Sequence, residues 1–501
     1  MWVSKFRLEP SILFNEQNDA TVKKDSIIRG SLSLYFSQGV GFGLSLVNAI
    51  VLARILTPHD YGIIGMATVF INFLVLFKDA GLATATIQNE SITEKQISTL
   101  FWINLILSAT LGIILLLSGP IIAIFYKKPE LAPVITVLSL TFILSGLTIQ
   151  HNALLQRHLK FYTLSLNEII AQGISLLVAI LMALSGFRYW SLVGGAMARS
   201  LVLLGLTFYY CPWVPGRMEK GTGVRKMLSF GGHLTGSYFV GYLSRNLDSL
   251  LIGKVIGAEA LGLYSRAFTL LMQPLTQIRG PLSNLSLPVL STLRTNPLRY
   301  YNYFKKLLDI SISLALPITV YCFLEGEFII LTLLGPKWIE AVPLFKVFSI
   351  GGIFVATSAA PGLLMTSFGY TKRYFKLSVI TAAIVAASFI IGVPFGVLGV
   401  AIAYSVSSFV KMIPLTYYGI RNTPVNIGLF VKSVYGPLLA SGAAGLLTII
   451  FLRLFQSGGT LRHIIAGLIF FLIYTSLTLM RKGTRETFLS IWRSVFTNQK
   501  V

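Results

Sequence analysis

Long apolar runs separated by short polar segments dominate the amino-acid sequence. A helix that crosses a bilayer needs about 20 predominantly apolar residues, and fourteen runs of this kind predict fourteen spans. The predicted spans are residues 31–53, 61–82, 99–118, 131–150, 168–185, 190–210, 230–253, 261–283, 306–325, 343–366, 376–393, 396–417, 433–452 and 463–480. Between the ninth and tenth runs, Phe328 to Leu334 is a candidate for a short interfacial helix. The pattern predicts an all-α membrane protein.

Composition agrees with this prediction. Hydrophobic residues make up 54% of the 501 residues and charged residues 12%, about half the charged fraction of a soluble domain. Such a chain cannot cover its apolar surface with polar groups, so lipid must be its solvent. The net charge of +23 would suggest nucleic-acid binding in a soluble protein. In a membrane protein, basic residues gather in cytoplasmic loops and at anionic headgroups, so membrane lipids and not nucleic acid are the expected partners.

The distribution of the 41 Lys and Arg residues predicts the orientation. With the N-terminus in the cytoplasm, 29 fall on the cytoplasmic side or near the cytoplasmic ends of spans, and eight fall on the opposite side. The other four lie deeper within spans, at Arg199, Arg245, Arg266 and Lys346. Because cytoplasmic loops carry the excess of basic residues, both termini are predicted to be cytoplasmic. The polar start of the chain lacks the apolar core of a cleavable signal peptide, so the first span is expected to be an uncleaved anchor.

An internal repeat relates two parts of the chain. Segments 48–67 and 248–267 align without gaps at an offset of 200 residues. In this alignment Asn48 meets Asp248, the cation Arg54 meets the cation Lys254, and Gly62 meets Gly262. Six spans separate the copies, so both begin on the same side of the membrane. This indicates a parallel duplication, a transporter plan in which the substrate site lies between two halves.

The repeat and the spans together predict two parallel, pseudo-symmetric lobes around a central cavity, followed by a terminal helix pair. The predicted segments are a cytoplasmic N-terminal segment (1–30), a first lobe (31–210), a basic cytoplasmic linker (211–229), a second lobe (230–417), the terminal pair (433–480) and a cytoplasmic tail (481–501). All loops are too short to fold as a soluble catalytic or nucleotide-binding domain. The function is therefore expected to lie within the helices.

Polar and ionisable side chains recur on the first two predicted spans of each lobe, where they are costly unless they face protein or water. They are Tyr35, Gln38, Ser45 and Asn48 on span 1; Thr68, Asn72 and Asp79 on span 2; Thr235, Tyr238, Tyr242, Arg245, Asp248 and Ser249 on span 7; and Arg266, Thr269, Gln273 and Gln277 on span 8. One interpretation is that these side chains hold packed helices together. Arg245 and Asp248 also have the spacing of a local ion pair.

The excess of cations favours a second interpretation. Arg54, Arg245, Lys254, Arg266 and Arg199 are opposed by few carboxylates in the predicted spans. A cavity lined by cations favours an anion, and guanidinium groups bind phosphate through forked hydrogen bonds. These residues are therefore the predicted binding site of an anionic substrate.

Motifs of enzymes and ATP-driven pumps do not occur in the sequence. It has no GxxxxGK[ST], no HExxH, no CxxC and no cluster of His, Asp and Glu with ligand spacing. Cys211 and Cys322 lie far apart, which implies neither a disulfide framework nor a zinc site. No catalytic residue, metal or cofactor is predicted.

Two predicted cytoplasmic segments, 151–160 and 288–306, are amphipathic and have the composition of segments that lie at the membrane interface. A further interpretation is that these segments contact an anionic lipid headgroup.

Four segments resemble the polysaccharide-transporter family of the multidrug/oligosaccharidyl-lipid/polysaccharide (MOP) flippase superfamily, in particular the Wzx-type branch of colanic-acid and teichuronic-acid exporters. They are LARILTPHDYG (52–62), LLQRHLKF (154–161), YWSLV (189–193) and YLSRNLDSLLIGKVIGAEALGLYSRA (242–267). The resemblance implies a bacterial inner-membrane protein with twelve to fourteen helices. It also implies movement of undecaprenyl-pyrophosphate-linked repeat units to the periplasmic leaflet by alternating access, through a cationic cavity. The residues that match by motif position are Arg54, Arg245, Asp248, Lys254 and Arg266.

The expected function is that of a lipid-linked oligosaccharide flippase for exopolysaccharide or lipopolysaccharide synthesis, with the polymerase and glycosyltransferases of the same pathway as partners. Two alternatives stay open. A cation-coupled multidrug antiporter of the same superfamily should have buried carboxylates without an excess of cations. A membrane polysaccharide polymerase or ligase needs a larger outer loop than residues 325–342 to hold catalytic groups.

Overall fold

The computed structural model describes residues 24–78, 81–88, 92–219, 242, 246–358, 360–455, 459–481 and 485, of which residues 24–37 are described by their backbone. These residues are nearly all helical and contain no strand. The prediction of an all-α membrane fold is confirmed. The chain divides into two compact units, Met1–Gly262 and Leu263–Val501.

The helices of the first unit are α1 (Lys24–Ile55), α2 (Pro58–Lys78), α3 (Leu82–Gln88), α4 (Glu94–Tyr126), α5 (Leu131–Arg157), α6 (Phe161–Leu184) and α7 (Trp190–Tyr210), with a short π-helix at Ile252–Ile256. Those of the second unit are α8 (Ala258–Leu293), whose first five residues belong to the first unit, α9 (Pro297–Leu324), α10 (Gly326–Leu333), α11 (Ala341–Ser358), α12 (Ala360–Ser367), α13 (Thr371–Gly392), α14 (Gly396–Ile420), α15 (Ile427–Leu454) and α16 (Gly459–Met480).

Side-chain caps determine where several helices begin. At the start of α4, the Gln96 backbone N–H donates to Thr93 Oγ1 at 3.3 Å, and the Thr93 backbone N–H donates to Gln96 Oε1 at 2.9 Å. Asn296 and Asn426 cap α9 and α15, each accepting the backbone N–H three residues further on. These caps satisfy N–H groups that have no partner within the helix.

Corresponding helices pack in the same order in each unit. In the first unit, α5 packs on α4 and α7, and α6 packs on α7. In the second unit, α11 packs on α9 and α14, and α13 packs on α14. In the predicted repeat, α4 to α7 correspond to α9, α11, α13 and α14, so the packing order supports the duplication. The second unit also packs α15 against α9 and α16.

The two copies of the repeated segment have matching helix starts, and they touch. α2 begins at Pro58 and α8 begins at Ala258, which preserves the offset of the sequence repeat. A Cβ on Gly62 would lie 1.7 Å from the carbonyl oxygen of Ala258, and one on Gly262 would lie 1.8 Å from the carbonyl oxygen of Pro58. Because both obstacles are backbone atoms, only glycine fits at either position.

Helices lie over every predicted span except 230–253, most of which is outside the described residues. Length and hydropathy qualify eleven segments of the described chain as candidate membrane spans, with α13 and α14 together forming one of them, Thr371–Ile420. α8, which carries several charged residues, is not among the eleven. The number fourteen and the lobe boundaries therefore stay predictions. The short helix expected at 328–334 is present as α10.

Candidate functional site

Lys254 connects the π-helix of the repeated segment to α4. Its ammonium group donates to the carbonyl oxygen of Phe125 and lies 4.4 Å from the centre of the Phe125 ring. A cation at the C-terminal end of a helix complements the partial negative charge of the last carbonyl groups. Lys254 therefore has a structural partner in addition to its predicted role. Its counterpart in the repeat, Arg54, is exposed in the last turn of α1.

Arg199 forms an ion pair that joins α7 to α6. Its Nη2 donates to Glu168 Oε2 at 2.5 Å, and both side chains are about half exposed. Sequence reasoning placed Arg199 among cations with few counter-charges, and Glu168 was not a predicted site residue. The pair shows that Arg199 has its own carboxylate within the first unit.

The polar stripe of α1 includes a bond between helices. Gln172 of α6 donates through Nε2 to Ser45 Oγ at 2.7 Å and to the Gly41 carbonyl oxygen at 3.1 Å. The interpretation of these groups as contacts between packed helices holds for Ser45. Of the other predicted lining residues, Tyr35, Gln38 and Asn48 lie on α1 and Asn72 on α2, with Gln38 and Asn72 exposed and Asn48 partly buried.

Of the polar residues predicted on span 7, Tyr242, Asp248 and Ser249 are described, and both Tyr242 and Asp248 have protein partners. The hydroxyl of Tyr242 donates to the carbonyl oxygen of Val69 in α2. The carboxylate of Asp248 is buried and accepts the backbone N–H of the next residue at 2.7 Å. Arg245 and Tyr238 lie outside the described residues. The pairing of Arg245 with Asp248 therefore stays a prediction.

Asp60 is a buried carboxylate that sequence reasoning missed. Its Oδ2 accepts the backbone N–H of Thr57 at 2.9 Å and the Thr57 hydroxyl at 2.7 Å, while its Oδ1 lies 3.4 Å from Nε of Arg188. The available signal is the sequence Thr-x-x-Asp, which has the spacing of a helix capping box. Asp60 thus caps the start of α2 and also offsets the charge of Arg188, which lies outside the predicted spans.

In the second unit, the predicted site residues lie on α8. Arg266, Gln273 and Gln277 are spaced at i, i+7 and i+11, which places them on one helix face. Arg266 and Gln273 are partly buried, and Gln277 is exposed. One guanidinium group and two amide groups therefore lie along this face of α8, as the sequence predicts.

Two further cations lie within long helices of the second unit, Arg279 on α8 and Lys411 on α14. They are close enough to interact electrostatically, and the Lys411 ammonium group lies 5.6 Å from the centre of the Tyr404 ring. Within the described chain, Nε of Arg279 is buried without a hydrogen-bond partner. Sequence reasoning assigned both cations to the cytoplasmic side and so did not include them in the site.

The described residues combine many apolar helices, an internal duplication and charged groups held within helices, which define a multi-pass membrane protein with the architecture of a transporter. The polysaccharide biosynthesis protein family matches residues 51–343, more than half of the chain. The chain belongs to this family. The resemblance drawn from the four sequence segments is confirmed.

Curated relatives cover most of the chain. It is 26% identical to the teichuronic acid biosynthesis protein TuaB of Bacillus subtilis (strain 168) over 379 residues, 75% of this chain and 78% of the relative. It is 24% identical to the lipopolysaccharide biosynthesis protein WzxC of Escherichia coli (strain K12), over 75% of this chain and 77% of the relative. It is 23% identical to the succinoglycan biosynthesis transport protein ExoT of Rhizobium meliloti (strain 1021), over 66% and 67%.

Solved structures have the same fold. The lipid II flippase MurJ, in an inward closed conformation, matches with a TM-score of 0.72 and 14% identity, over 90% of this chain and 98% of that chain. An inward-facing multidrug resistance transporter of the MATE family, in the MOP superfamily, matches with a TM-score of 0.59 and 15% identity, over 75% and 93%. At such identities the likeness shows the fold alone.

Proposed function

We propose that this protein is a flippase that moves polyprenyl-pyrophosphate-linked oligosaccharide units from the cytoplasmic to the periplasmic leaflet of a bacterial inner membrane by alternating access. The units would serve exopolysaccharide or lipopolysaccharide synthesis, and the polymerase and glycosyltransferases of that pathway are the proposed partners. In this proposal both termini lie in the cytoplasm. The proposal draws on relatives named for polysaccharide synthesis and transport and on a fold shared with a lipid II flippase.

One observation carries the proposal: the family match, residues 51–343, contains residues 51–67 of the first repeat copy, the whole second copy and every cation predicted to bind the anion. In the proposed mechanism, Arg245 and Arg266 hold the pyrophosphate, because guanidinium forks match phosphate oxygens. Arg54 and Lys254 act near the outer ends of their helices. Asp248 orients arginine or takes a proton.

The remaining predicted residues have supporting roles in the proposal. Tyrosine, asparagine and glutamine side chains would contact the sugar, since hydroxyl and amide groups exchange hydrogen bonds with its hydroxyls. Arg199 contributes less than Arg266, because Glu168 already offsets its charge. The roles of Tyr35, Gln38, Asn48, Asn72, Tyr238, Tyr242, Gln273 and Gln277 as sugar-contacting residues are part of the same proposal.

The test measures polysaccharide output in an exporter-deficient strain that carries Arg245→Ala, Arg266→Ala or Arg266→Lys. Removing a charged hydrogen bond costs about 1.5–3 kcal/mol, so each alanine variant should lose on the order of tenfold or more in output. Arg266→Lys should retain part of it. Arg294→Ala changes an exposed arginine just beyond α8 and is the matched control. Normal output at normal protein levels in both alanine variants would overturn the assignment.

The two alternatives are tested with the purified protein in proteoliposomes. A multidrug antiporter would drive dye efflux in response to a proton or sodium gradient, whereas the proposed flippase would move a fluorescent polyprenyl-pyrophosphate glycan across the bilayer. A polymerase would lengthen the glycan, which gel analysis of the same vesicles would detect. Transbilayer movement without elongation, lost in Arg266→Ala, is the expected result.

A further inference from the structure

A cavity of about 400 Å³ lies in the second unit, at the start of α9, the start of α15 and the end of α16. Three cations line it: Lys305 of α9, Lys432 of α15 and Arg481, the residue after α16. The only carboxylate among its described lining residues is Asp309. None of the predicted substrate-site residues is among the described residues that line this basic cavity.

A hydroxyl holds the Asp309 carboxylate, and the carboxylate acts electrostatically on Lys305 and Arg481 from beyond ion-pair distance. Ser433 donates to Asp309 Oδ1 at 2.5 Å. Within the described chain, no ion pair of 4.0 Å or less joins Asp309 to Lys305, Lys432 or Arg481. Three cations against one carboxylate leave an excess of two positive charges. A phosphate group carries the complementary charge and accepts hydrogen bonds from all three.

The fold directs Arg481 toward this cavity. A Cβ on Gly436 of α15 would lie 1.2 Å from Nη1 of Arg481 and 2.5 Å from its Cζ. The guanidinium therefore occupies the space that any larger residue at position 436 would fill. The Tyr474 hydroxyl donates to the Ser313 carbonyl oxygen at 2.7 Å, which holds α16 against α9 at the side of the cavity. Arg481 is thus placed by packing as well as by its position in the sequence.

The surroundings of the basic cavity are those of a membrane interface. Tyr301 and Tyr435 line it together with the lysines, and tyrosine and lysine are typical of the headgroup level of a bilayer. An apolar groove of about 530 Å³ follows along the same two helices, lined by residues that include Val320 and Leu439. Val320 lies seven residues beyond Ser313 on α9, about 10 Å along the helix. A charged cavity with an apolar groove further along the same two helices matches a lipid, with its polar head and its chains.

We propose that the basic cavity binds the phosphate headgroup of an anionic membrane phospholipid, with the acyl chains along the groove between α9 and α15. The bound molecule is a lipid of the surrounding bilayer, so the proposal does not rest on the proposed function. It also gives the amphipathic segment 288–306, which supplies Tyr301 and Lys305, a specific role.

The experiment uses the full chain purified in neutral detergent and titrated with dioctanoyl phosphatidylglycerol while Tm is recorded. The wild type should show a saturable rise in Tm. Lys305→Ala and Arg481→Ala should each weaken the apparent affinity about fivefold, and both together about 25-fold, since each basic residue near an anionic surface contributes about that factor. Gly436→Ala should weaken binding as Arg481→Ala does while it keeps the charge, because the new methyl group displaces the guanidinium.

Lys306→Ala is the matched control, because Lys306 is exposed, adjacent in sequence and outside the cavity. Its titration should equal that of the wild type. Equal curves for the wild type and the Lys305/Arg481 double variant would overturn the proposal. Stabilisation of the wild type by dioctanoyl phosphatidylcholine at the same concentration would show that charge is not the basis of binding. The same rise in Tm with inorganic phosphate alone would show a soluble anion site and overturn the lipid assignment.

Folding of each variant is checked by helical content and by elution profile before lipid is added. Where an alanine variant fails this check, Lys305→Gln or Arg481→Gln replaces it, because glutamine keeps most of the side-chain volume without the charge. Lipid binding is measured without transport, so a failure of this proposal is distinguishable from a failure of the flippase proposal.

Discussion

Gly62 of α2 and Gly262 of α8 occupy equivalent positions of the internal repeat, and each packs on the first carbonyl group of the other's helix. The Cβ that each lacks would lie within 2 Å of a backbone oxygen, that of Ala258 or that of Pro58. A side chain there cannot be accommodated by a rotamer change, because the obstacle is the main chain. The main chains of residues 58–62 and 258–262 therefore approach each other at this contact as closely as backbone atoms allow.

Gly62→Ala and Gly262→Ala should therefore both destabilise the protein, by more than the 1–3 kcal/mol typical of overpacking. Thermal unfolding in detergent, or the yield of monodisperse protein, measures the effect. Gly43→Ala is the control: Gly43 lies in α1 with no atom within 4 Å of its would-be Cβ, and alanine favours the helix. Equal Tm values for Gly62→Ala and Gly43→Ala would contradict the described crossing.

The contact between His463 of α16 and Glu325, the residue after α9, should contribute to the stability of the folded protein. Its Nδ1 lies 2.6 Å from Glu325 Oε2, the carboxylate is buried, and the Phe328 ring stacks on the imidazole at 4.3 Å. Removing one partner of a buried pair leaves the other uncompensated, so His463→Ala should cost about 3 kcal/mol of stability.

The Glu325→Gln variant separates charge from packing in this pair. It keeps a hydrogen-bond acceptor next to His463 without a buried charge, so its Tm should fall much less than that of His463→Ala. A double variant, His463→Ala with Glu325→Gln, should recover part of the loss. A Tm for His463→Ala within error of the wild type would show that the pair does not contribute to stability.

Cys211 should resist thiol reagents in the folded protein. It is fully buried next to Trp213 and Phe101, and burial raises the pKa of the Cys211 thiol to about 12. At pH 8 the group is therefore neutral, and the thiolate is the reactive form. In a Cys322→Ala background, maleimide should label Cys211 only after denaturation. Met218→Cys, at an exposed position, should label at once; similar labelling rates for both would contradict the described burial.

The proposed orientation is tested with single cysteines at two exposed lysines. Lys337 lies on the predicted outer side and Lys372 on the predicted cytoplasmic side. In spheroplasts, a membrane-impermeant maleimide should label Lys337→Cys directly and Lys372→Cys only after permeabilisation. The opposite pattern would reverse the orientation and with it the proposed direction of transport.

The amino-acid sequence predicts the helices well because an apolar run of span length has few other ways to satisfy its backbone. It also predicts the repeat at residue level, since Gly62 and Gly262 match in register and α2 and α8 begin 200 residues apart. Both signals are local: they depend on the residues of one segment and on their spacing.

The partners of the candidate site residues are not local, and sequence reasoning missed them. Helical periodicity identifies the face on which Arg199 or Lys254 lies, but not the neighbouring helix that supplies Glu168 or the Phe125 carbonyl group. The basic cavity is a clearer example of a partner that the sequence does not predict. Arg481 belongs to the predicted cytoplasmic tail, yet its side chain packs against Gly436 and lines the cavity. Such pairs depend on how helices pack, which a single sequence does not specify.

The contact of residues 58–62 with 258–262 is reciprocal, as contacts across a two-fold dimer interface are, but both sides belong to one polypeptide. In a homodimer, one surface contacts its own copy, and every mutation changes both sides at once. Within a single chain the two sides can change separately, and the neutral Asn48 against the carboxylate of Asp248 is a position where their charge already differs. The duplication thus keeps the shared glycine contact while each copy acquires its own charges.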